Sequence, residues 1–276
     1  MAFDTHAQLA TVPVVGRETT RLAHVLRSWP QNYWSRPAYC PGWTAADAVA
    51  HLTMGGDFYA QVITAGRSGE PIFPWGVKTP EEFRAVRQAA SKKLIDGGPA
   101  ALVEGFEQKG AQLQAVLESL QASDLARVAR HPRGLIPIGL WIGMRLVELS
   151  AHDWDMRQPH ETPAHLSPSA LPALLDFIPE MQLRFLQQRA SDGLDGVYAL
   201  RAGDTAWGFS VRGQTVTYQP AAPAACDTTL STDAESMCLL TLGRADVDAR
   251  LRSAALTISG NADKGQQFCA TLFRAF

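Results

Sequence analysis

The segment LWIGMRLVELSAHDWDMR, residues 140–157, constrains the fold more than any other part of the chain. Its apolar residues fall on most sides of a helix. One polar stripe interrupts them, formed by Arg145, Glu148, His152 and Asp155. Spacings of three, four and three residues bring these side chains to one side of a 3.6-residue helix, with Glu148 and His152 one turn apart. The segment therefore predicts a largely buried helix that carries one line of polar groups.

The polar stripe has two interpretations. A carboxylate and an imidazole stacked one turn apart can hold one divalent metal ion, which makes Glu148 and His152 candidate ligands. Alternatively, the stripe is simply the water-exposed face of an otherwise buried helix. The spacing alone favours this second interpretation, because E-x-x-x-H is a weak pattern. The choice between the two depends on the rest of the chain.

The composition indicates substantial apolar cores and no charge bias. The 276 residues are 46% hydrophobic and carry a formal net charge of −2, which gives no electrostatic reason to expect nucleic acid or an anionic membrane as partner. The longest apolar run, 135–144, is about half of what a bilayer crossing requires. The first residues contain no basic region before an apolar run, so no secretory signal is expected. The four cysteines form no C-x-x-C pair, and we expect thiols in a reducing cytoplasm.

The first part of the chain predicts four long helical regions. They cover about 5–28, 44–66, 79–120 and 140–157, and the third is broken at Gly97-Gly98-Pro99. The second begins at a capping box, T-A-A-D, and the third begins with proline and acidic residues in its first turn. Four helices with short or moderate connections predict an antiparallel bundle, whose interior is a usual place for a metal.

The sequence pattern changes after residue 165. Four prolines within 158–172 mark a boundary, and a period of two then predicts short strands joined by glycine turns. The strands are expected at 197–200, 206–211, 215–218, 228–231 and 256–259, and the helices at 170–189, 233–242 and 263–273. We therefore predict two domains, a metal-binding helix bundle over 1–165, and over 166–276 a linker helix with a small α+β domain and an antiparallel sheet.

His51 lies two turns inside the second predicted helix, on a largely apolar surface. A lone histidine in such a helix is usually a satisfied core residue. Together with Glu148 and His152, however, it gives two imidazoles and one carboxylate from two helices. That set suits zinc with an open fourth position, the arrangement of a catalytic site.

Four segments of the chain together resemble a known family. They are PAYCPGWTAADAVAHL (37–52), RSGEP (67–71), the R-x-x-E-x-x-x-H-x-W-D pattern of 145–155, and STDAESMCLLTLGRADVDARLRSAALTISGNAD (231–263). The family is the DinB-like, mycothiol-dependent maleylpyruvate isomerase family, and the resemblance runs nearly end to end. It implies a DinB-like four-helix bundle followed by a small antiparallel-sheet domain with a sterol-carrier-like fold.

The resemblance implies metal ligation by His51, Glu148 and His152. The expected ion is divalent, with Zn²⁺ preferred. Asp155 falls on the family's W-D position, and we expect it to orient a ligand, because ligating imidazoles need their second ring nitrogen fixed. The alternative for Asp155 is a surface salt bridge to Arg157 or Arg145.

A substrate carboxylate would need an arginine. The candidates are Arg145, Arg84, Arg201 and Arg244, and Arg145 is taken with Asp155 as the predicted catalytic pair. For each of the four arginines, an ordinary packing or surface role is the alternative.

The resemblance also implies an enzyme that uses mycothiol or a similar low-molecular-weight thiol as cosubstrate. A free thiol has a pKa of about 8.5, so little thiolate exists at neutral pH until a metal binds the sulfur. Addition of the thiolate to a small electrophile or unsaturated acid gives an S-transferase if the adduct is kept, or a maleylpyruvate-type cis–trans isomerase if the thiol is expelled. The alternatives are a metal-dependent hydrolase that uses bound water and a non-enzymatic small-molecule-binding module. We expect a monomer or a homodimer.

Overall fold

The chain divides into two compact units. A computed structural model describes residues 5–189 and 193–273. The helical unit spans Phe3–Ala170 and the sheet unit spans Leu171–Phe276. The division lies between Ala170 and Leu171, whereas the sequence places it between residues 165 and 166. Among the described residues, no helix is both long and apolar enough to cross a membrane.

The helical unit consists of helices and one short hairpin. Its elements are α1 (Thr5–Ala10), α2 (Val12–Arg27), α3 (Ala45–Arg67), α4 (Pro80–Asp96), α5 (Gly98–Glu118), β1 (Val128–His131), β2 (Gly134–Pro137) and α6 (Ile138–Arg157). Helices α2 and α3 each pack against both α5 and α6, which gives the predicted four-helix bundle. Helix α4 packs outside this bundle on α3 and α5, and α1 packs on α6.

Helix α3 begins where the sequence predicts. The Asp47 N–H donates to Thr44 Oγ1 (3.3 Å), and the Thr44 N–H donates to Asp47 Oδ2 (2.8 Å). This reciprocal pair satisfies backbone donors that the first turn of a helix leaves open. The helix is buried on most of its surface, because α4, α5 and α6 all pack against it.

Two features of the helical unit differ from the sequence prediction. The first predicted helix is interrupted at Thr11, and α2 takes Pro13 in its first turn, where a residue without an N–H donor costs nothing. The β1–β2 hairpin, paired from Val128↔Pro137 to His131↔Gly134, was not predicted, because the sequences of its strands, VARH and GLIP, do not alternate polar and apolar residues. The break predicted in the third region is present, since α4 and α5 meet there.

The sheet unit packs helices against one five-stranded sheet. Its elements are α7 (Leu171–Arg189), β3 (Gly196–Ala202), β4 (Thr205–Arg212), β5 (Thr215–Gln219), β6 (Thr228–Thr232), α8 (Ala234–Thr241), α9 (Val247–Arg252), β7 (Leu256–Gly260) and α10 (Ala262–Leu272). The strand order is β5-β4-β3-β6-β7. The prediction of a purely antiparallel sheet is wrong for one pair, since β3 and β6 are parallel. A parallel pair needs a crossover connection, and β4, β5 and the segment 220–227 provide it.

The interior of the sheet unit contains one satisfied polar cluster. The Gln182 amide donates to Thr241 Oγ1 (2.9 Å) and accepts from Trp207 Nε1 (2.9 Å). Beside the sheet, the Tyr198 and Phe268 rings stack with centroids 4.1 Å apart. A buried amide with partners on both sides costs little, so this cluster positions α7, α8 and β4 without weakening the core.

Candidate metal centre

The three predicted ligands meet where α3 crosses α6. His51 Nε2 lies 2.7 Å from Glu148 Oε2, and His152 Nε2 lies 3.7 Å from the same oxygen. One donor atom of each residue lies within 4.8 Å of the other two. The structure therefore brings together two imidazoles and one carboxylate from residues almost a hundred positions apart, and their ligation of a metal stays a prediction.

The protonation of the cluster suits a cation. Burial lowers the pKa of His51, although the nearby Glu148 carboxylate opposes the shift. Burial alone would raise the pKa of Glu148, but the charge and hydrogen bond of His51, followed by the charges of His152 and Arg87, outweigh it and hold that pKa well below its ordinary value. At neutral pH the cluster thus offers an ionised carboxylate. Ionised carboxylate and neutral imidazole are the forms that bind divalent metals.

Asp155 fixes the orientation of the His152 ring. Its Oδ2 lies 2.8 Å from His152 Nδ1, and the residue is 0% exposed. Because Nδ1–H donates to Asp155, the lone pair of Nε2 faces Glu148. The alternative of a surface salt bridge from Asp155 to Arg157 or Arg145 is wrong, since Asp155 is fully buried.

The cations nearest in sequence to Asp155 have other partners. Arg157 pairs with Asp153 (3.1 Å) and Glu161 (2.9 Å).

Arg145 lies inside the bundle, between α6 and α3. The residue is 1% exposed, and its Nη1 donates to the Leu52 carbonyl (2.9 Å). A Cβ atom added to Gly55 would lie 3.2 Å from Arg145 Nη1, and one added to Gly56 would lie 3.5 Å from Nη2. Two glycines in α3 thus leave the space that the guanidinium occupies. The interpretation of the stripe as a water-exposed face is wrong, because Arg145, His152 and Asp155 are all buried.

The other candidate arginines have ordinary partners or positions. Arg84 is exposed on α4 and pairs with Glu81 (2.8 Å). Arg201 is exposed on β3, and Arg244 Nη1 donates to the Leu242 carbonyl (2.7 Å), both in the sheet unit. A catalytic role for Arg145 stays a prediction.

Arg87, which is not among the predicted site residues, reaches the cluster from α4. Its Nη2 lies 3.1 Å from His51 Nδ1 and 3.4 Å from His51 Nε2. One signal could have identified it. Phe83 is the buried residue of α4, and Arg87 follows four positions later, so the helix face that packs on α3 also carries Arg87.

The segment that precedes α3 covers the two histidines. The Trp43 ring stacks on His152 (centroids 5.5 Å apart, planes at 25°) and lies 5.0 Å from the His51 ring. Cys40 Sγ donates to Asp155 Oδ2 (3.2 Å), and the Tyr39 N–H donates to the Asp155 carbonyl (2.8 Å). The segment 39–43, here called the P-G-W segment, is therefore anchored to the last turn of α6 and forms one wall of the centre.

The family model of the mycothiol maleylpyruvate isomerase N-terminal domain matches residues 15–157, just over half of the chain. The chain belongs to this family. The model of the SCP-2 sterol transfer family matches residues 184–273. Membership in the mycothiol maleylpyruvate isomerase N-terminal domain family, followed by an SCP-2 domain, confirms the resemblance on which the fold prediction depends. Comparison with curated protein sequences gives no match.

Solved structures extend the likeness to both units. The crystal structure of the mycothiol-dependent maleylpyruvate isomerase is 16% identical, covers 93% of both chains and gives a TM-score of 0.61. A histidine-to-alanine mutant of that isomerase gives 0.60 at the same identity and coverage. At this identity the likeness shows the fold alone, and the predicted fold class is confirmed.

Proposed function

We propose that this protein is a metal- and thiol-dependent enzyme that acts on a small electrophile or unsaturated acid, as an S-transferase or a maleylpyruvate-type isomerase. The observation that carries the proposal is the convergence of His51, Glu148 and His152 within 4.8 Å. The chain belongs to a family whose description names mycothiol and maleylpyruvate, and this membership supports mycothiol, or a similar thiol, as the cosubstrate.

The donor set fits a divalent metal. Two imidazole nitrogens and one carboxylate oxygen are the ligands of many catalytic zinc sites, which keep a fourth position open, so we propose Zn²⁺. A divalent ion held there would supply the positive charge that lowers the pKa of a thiol at the fourth position. Asp155 completes the fit, because it holds His152 Nδ1–H and leaves Nε2 available.

Arg87 connects the position of the ring proton on His51 to the binding of a substrate carboxylate. His51 Nδ1 accepts a hydrogen bond from Arg87, while Nε2–H donates to Glu148. If Nε2 served as a ligand, the ring proton would lie on Nδ1 and would face the N–H groups of Arg87. Two donors do not pair, so the guanidinium would then be available to hold a substrate carboxylate. We propose this role for Arg87.

Trp43 and Arg145 complete the proposed site. The Trp43 ring covers one side of both imidazoles and limits the access of water to them, which strengthens electrostatic interactions at the reacting sulfur. Burial lowers the pKa of Arg145, and the charges of Tyr59 and Glu148 oppose that shift, so Arg145 and Glu148 lie close enough to interact electrostatically. Asp155 and Arg145 thus act through the ligands.

The cysteines support a cytoplasmic location. Burial raises the pKa of both Cys238 and Cys269 to about 12, so these thiols are inert. Cys226 is an exposed thiol. An oxidising compartment would readily modify it, whereas cytoplasmic reductants keep such thiols reduced.

The test is turnover of unsaturated acids, maleylpyruvate among them, by metal-loaded protein with and without mycothiol. We expect turnover only when metal and thiol are both present, and loss of metal and turnover in His51→Ala. The matched control is His24→Ala, which changes an exposed histidine of α2. Full turnover without any thiol would overturn the proposal and favour the hydrolase alternative. Metal content unchanged in His51→Ala would overturn the ligand set.

A further inference from the structure

A second set of donor atoms lies at the other edge of the His152 ring. Asp155 Oδ2 lies 2.8 Å from His152 Nδ1 and 3.2 Å from Cys40 Sγ. One sulfur, one oxygen and one nitrogen donor therefore lie within 4.8 Å of one another. The set shares only His152 with the triad of His51, Glu148 and His152.

The local backbone holds this second set in place. The Tyr39 N–H donates to the Asp155 carbonyl (2.8 Å), and the Trp43 N–H donates to the Cys40 carbonyl (3.1 Å). Asp155 is 0% and His152 8% exposed, whereas Cys40 is half-buried. The donors are thus pre-positioned, and Cys40 is the most exposed of the three residues.

We propose that Cys40, Asp155 and the Nδ1 edge of His152 form a second metal site, for a thiophilic divalent ion such as Cd²⁺ or Zn²⁺. A thiolate selects soft and borderline ions, whereas Mg²⁺ and Ca²⁺ require oxygen ligands. Binding releases one proton to solvent, that of the Cys40 thiol, while the ring proton of His152 moves from Nδ1 to Nε2. The site goes beyond the proposed function and does not depend on it.

The two sites are coupled through His152. The hydrogen bond from Nδ1 to Asp155 orients the ring for the triad, and this bond is lost when Nδ1 becomes a ligand. An ion bound through Cys40 therefore weakens the triad, so thiophilic ions in excess inhibit any activity that depends on the triad. The site makes the protein sensitive to ions such as Cd²⁺.

Absorption spectroscopy of the metal-free, full-length protein tests the site. Titration with Co²⁺ or Cd²⁺ is expected to produce a thiolate-to-metal charge-transfer band that saturates at one thiolate-bound ion per chain, with the triad competing for the first ions added. The band should disappear in Cys40→Ser and persist in His51→Ala, which removes a ligand of the triad alone. Cys226→Ser, which changes the exposed thiol, is the matched control. Loss of the hydrogen-bond partner of a metal ligand weakens binding by ~10-fold. Cys40→Ser removes the ligand itself and should therefore weaken Cd²⁺ binding at least as much.

Two results would overturn the proposal. They are the absence of a charge-transfer band in the unmodified protein and an undiminished band in Cys40→Ser.

Alkylation of the unmodified protein gives a measurement that needs no variant. At a Cd²⁺ concentration tenfold above its Kd, iodoacetamide should modify Cys40 about tenfold more slowly, by mass action, whereas Mg²⁺ should have no effect. An unchanged rate with Cd²⁺ would show that Cys40 serves only as a hydrogen-bond donor to Asp155.

Discussion

At the scale of single residues, Asp155 supports two neighbours at once. Its carboxylate accepts hydrogen bonds from the His152 ring and from the Cys40 thiol while it is itself fully buried. Truncation leaves both donors without this acceptor and frees the His152 ring to rotate. A change at Asp155 should therefore weaken metal binding at the candidate centre, although Asp155 is not itself a member of the triad.

We expect Asp155→Ala to weaken metal binding by about 10–100-fold, the range for loss of a carboxylate that orients a ligating histidine. Competition with a chromophoric chelator would measure this loss. Asp155→Asn keeps the size of the side chain and one acceptor oxygen. This variant should therefore bind the metal more tightly than Asp155→Ala does. Equal affinity of Asp155→Ala and the unmodified protein would exclude the orienting role.

The second residue-scale prediction concerns Arg87. A hydrogen bond to a charged group contributes about 1.5–3 kcal/mol. Arg87→Ala should therefore lower kcat/KM for a carboxylate substrate by about 10–100-fold, mainly through KM, with the metal content unchanged. The matched control is Arg84→Ala, one turn earlier on α4, where the side chain is exposed and pairs with Glu81. Equal losses of kcat/KM in Arg87→Ala and Arg84→Ala would point to a general effect of positive charge on α4.

Residues were predictable where local spacing determines their position. Glu148 and His152 lie one helical turn apart whatever surrounds them, and the family motifs added His51. Arg87 and Trp43 were not found, because their contacts with the histidines depend on how α4 and the P-G-W segment pack on α3. The burial of Arg145 was equally hidden, since it depends on two glycines in a different helix.

At the scale of elements, a buried network joins α2, α6 and the segment after α6. Glu18 on α2 is 2% exposed, and it accepts hydrogen bonds from Arg21 (2.8 Å), Ser167 (2.9 Å) and Ser169. Arg21 also pairs with Asp153 on α6 (2.9 Å). Burial alone would raise the pKa of Glu18, but the hydrogen bonds from Ser169 and Arg21 and the charge of Arg21 outweigh it and lower that pKa.

This lowered pKa predicts the sign of a pH dependence. A carboxyl whose pKa is lower in the folded state stabilises the fold at pH values above its unfolded pKa, about 4.3. The stabilisation is lost as the pH falls through the folded pKa. Glu18→Gln should therefore lower the free energy of unfolding by about 1–3 kcal/mol at pH 7. The difference from the unmodified protein should shrink as the pH falls below about 4.3.

Urea denaturation at several pH values would measure the dependence. Glu81→Gln is the control. Because Glu81 is exposed, this variant should have the same free energy of unfolding as the unmodified protein at each pH. A difference between Glu18→Gln and the unmodified protein that stays constant from neutral to acid pH would show that ionisation of Glu18 does not contribute.

Elements with strong local signals were predicted well. The capping box at Thr44 and the proline after Thr79 fixed the starts of α3 and α4. The β1–β2 hairpin and the parallel pairing of β3 with β6 were missed. Both depend on contacts between segments rather than on the periodicity within one.

At the scale of the whole molecule, the candidate metal centre belongs to one unit. Every residue proposed for either metal site, and Arg87 with them, lies within Phe3–Ala170. This unit has its own buried core, contributed by α2, α3, α5 and α6. The fold class was predictable at this scale because the resemblance covers segments of both units.

A fragment of residues 1–170 should therefore fold and bind about one divalent ion with the affinity of the full chain. Circular dichroism would show its helix content and cooperative melting, and elemental analysis would give its metal content. The same fragment with His152→Ala is the control and should retain the helices but lose the ion. A helical fragment that binds no ion would show that the centre requires residues beyond 170.

The pair of glycines opposite Arg145 has an evolutionary consequence. A Cβ atom at Gly55 would lie 3.2 Å from the guanidinium, and one at Gly56 would lie 3.3 Å from the Lys109 carbonyl. A side chain at position 55 would require the Arg145 guanidinium, which donates to the Leu52 carbonyl, to shift by a few tenths of an ångström, whereas one at position 56 would press on the backbone of Lys109. Among descendants of this chain, we expect an alanine at position 55 to occur mainly with a shorter or uncharged residue at 145. The two positions are therefore expected to covary, although ninety residues separate them in the gene product.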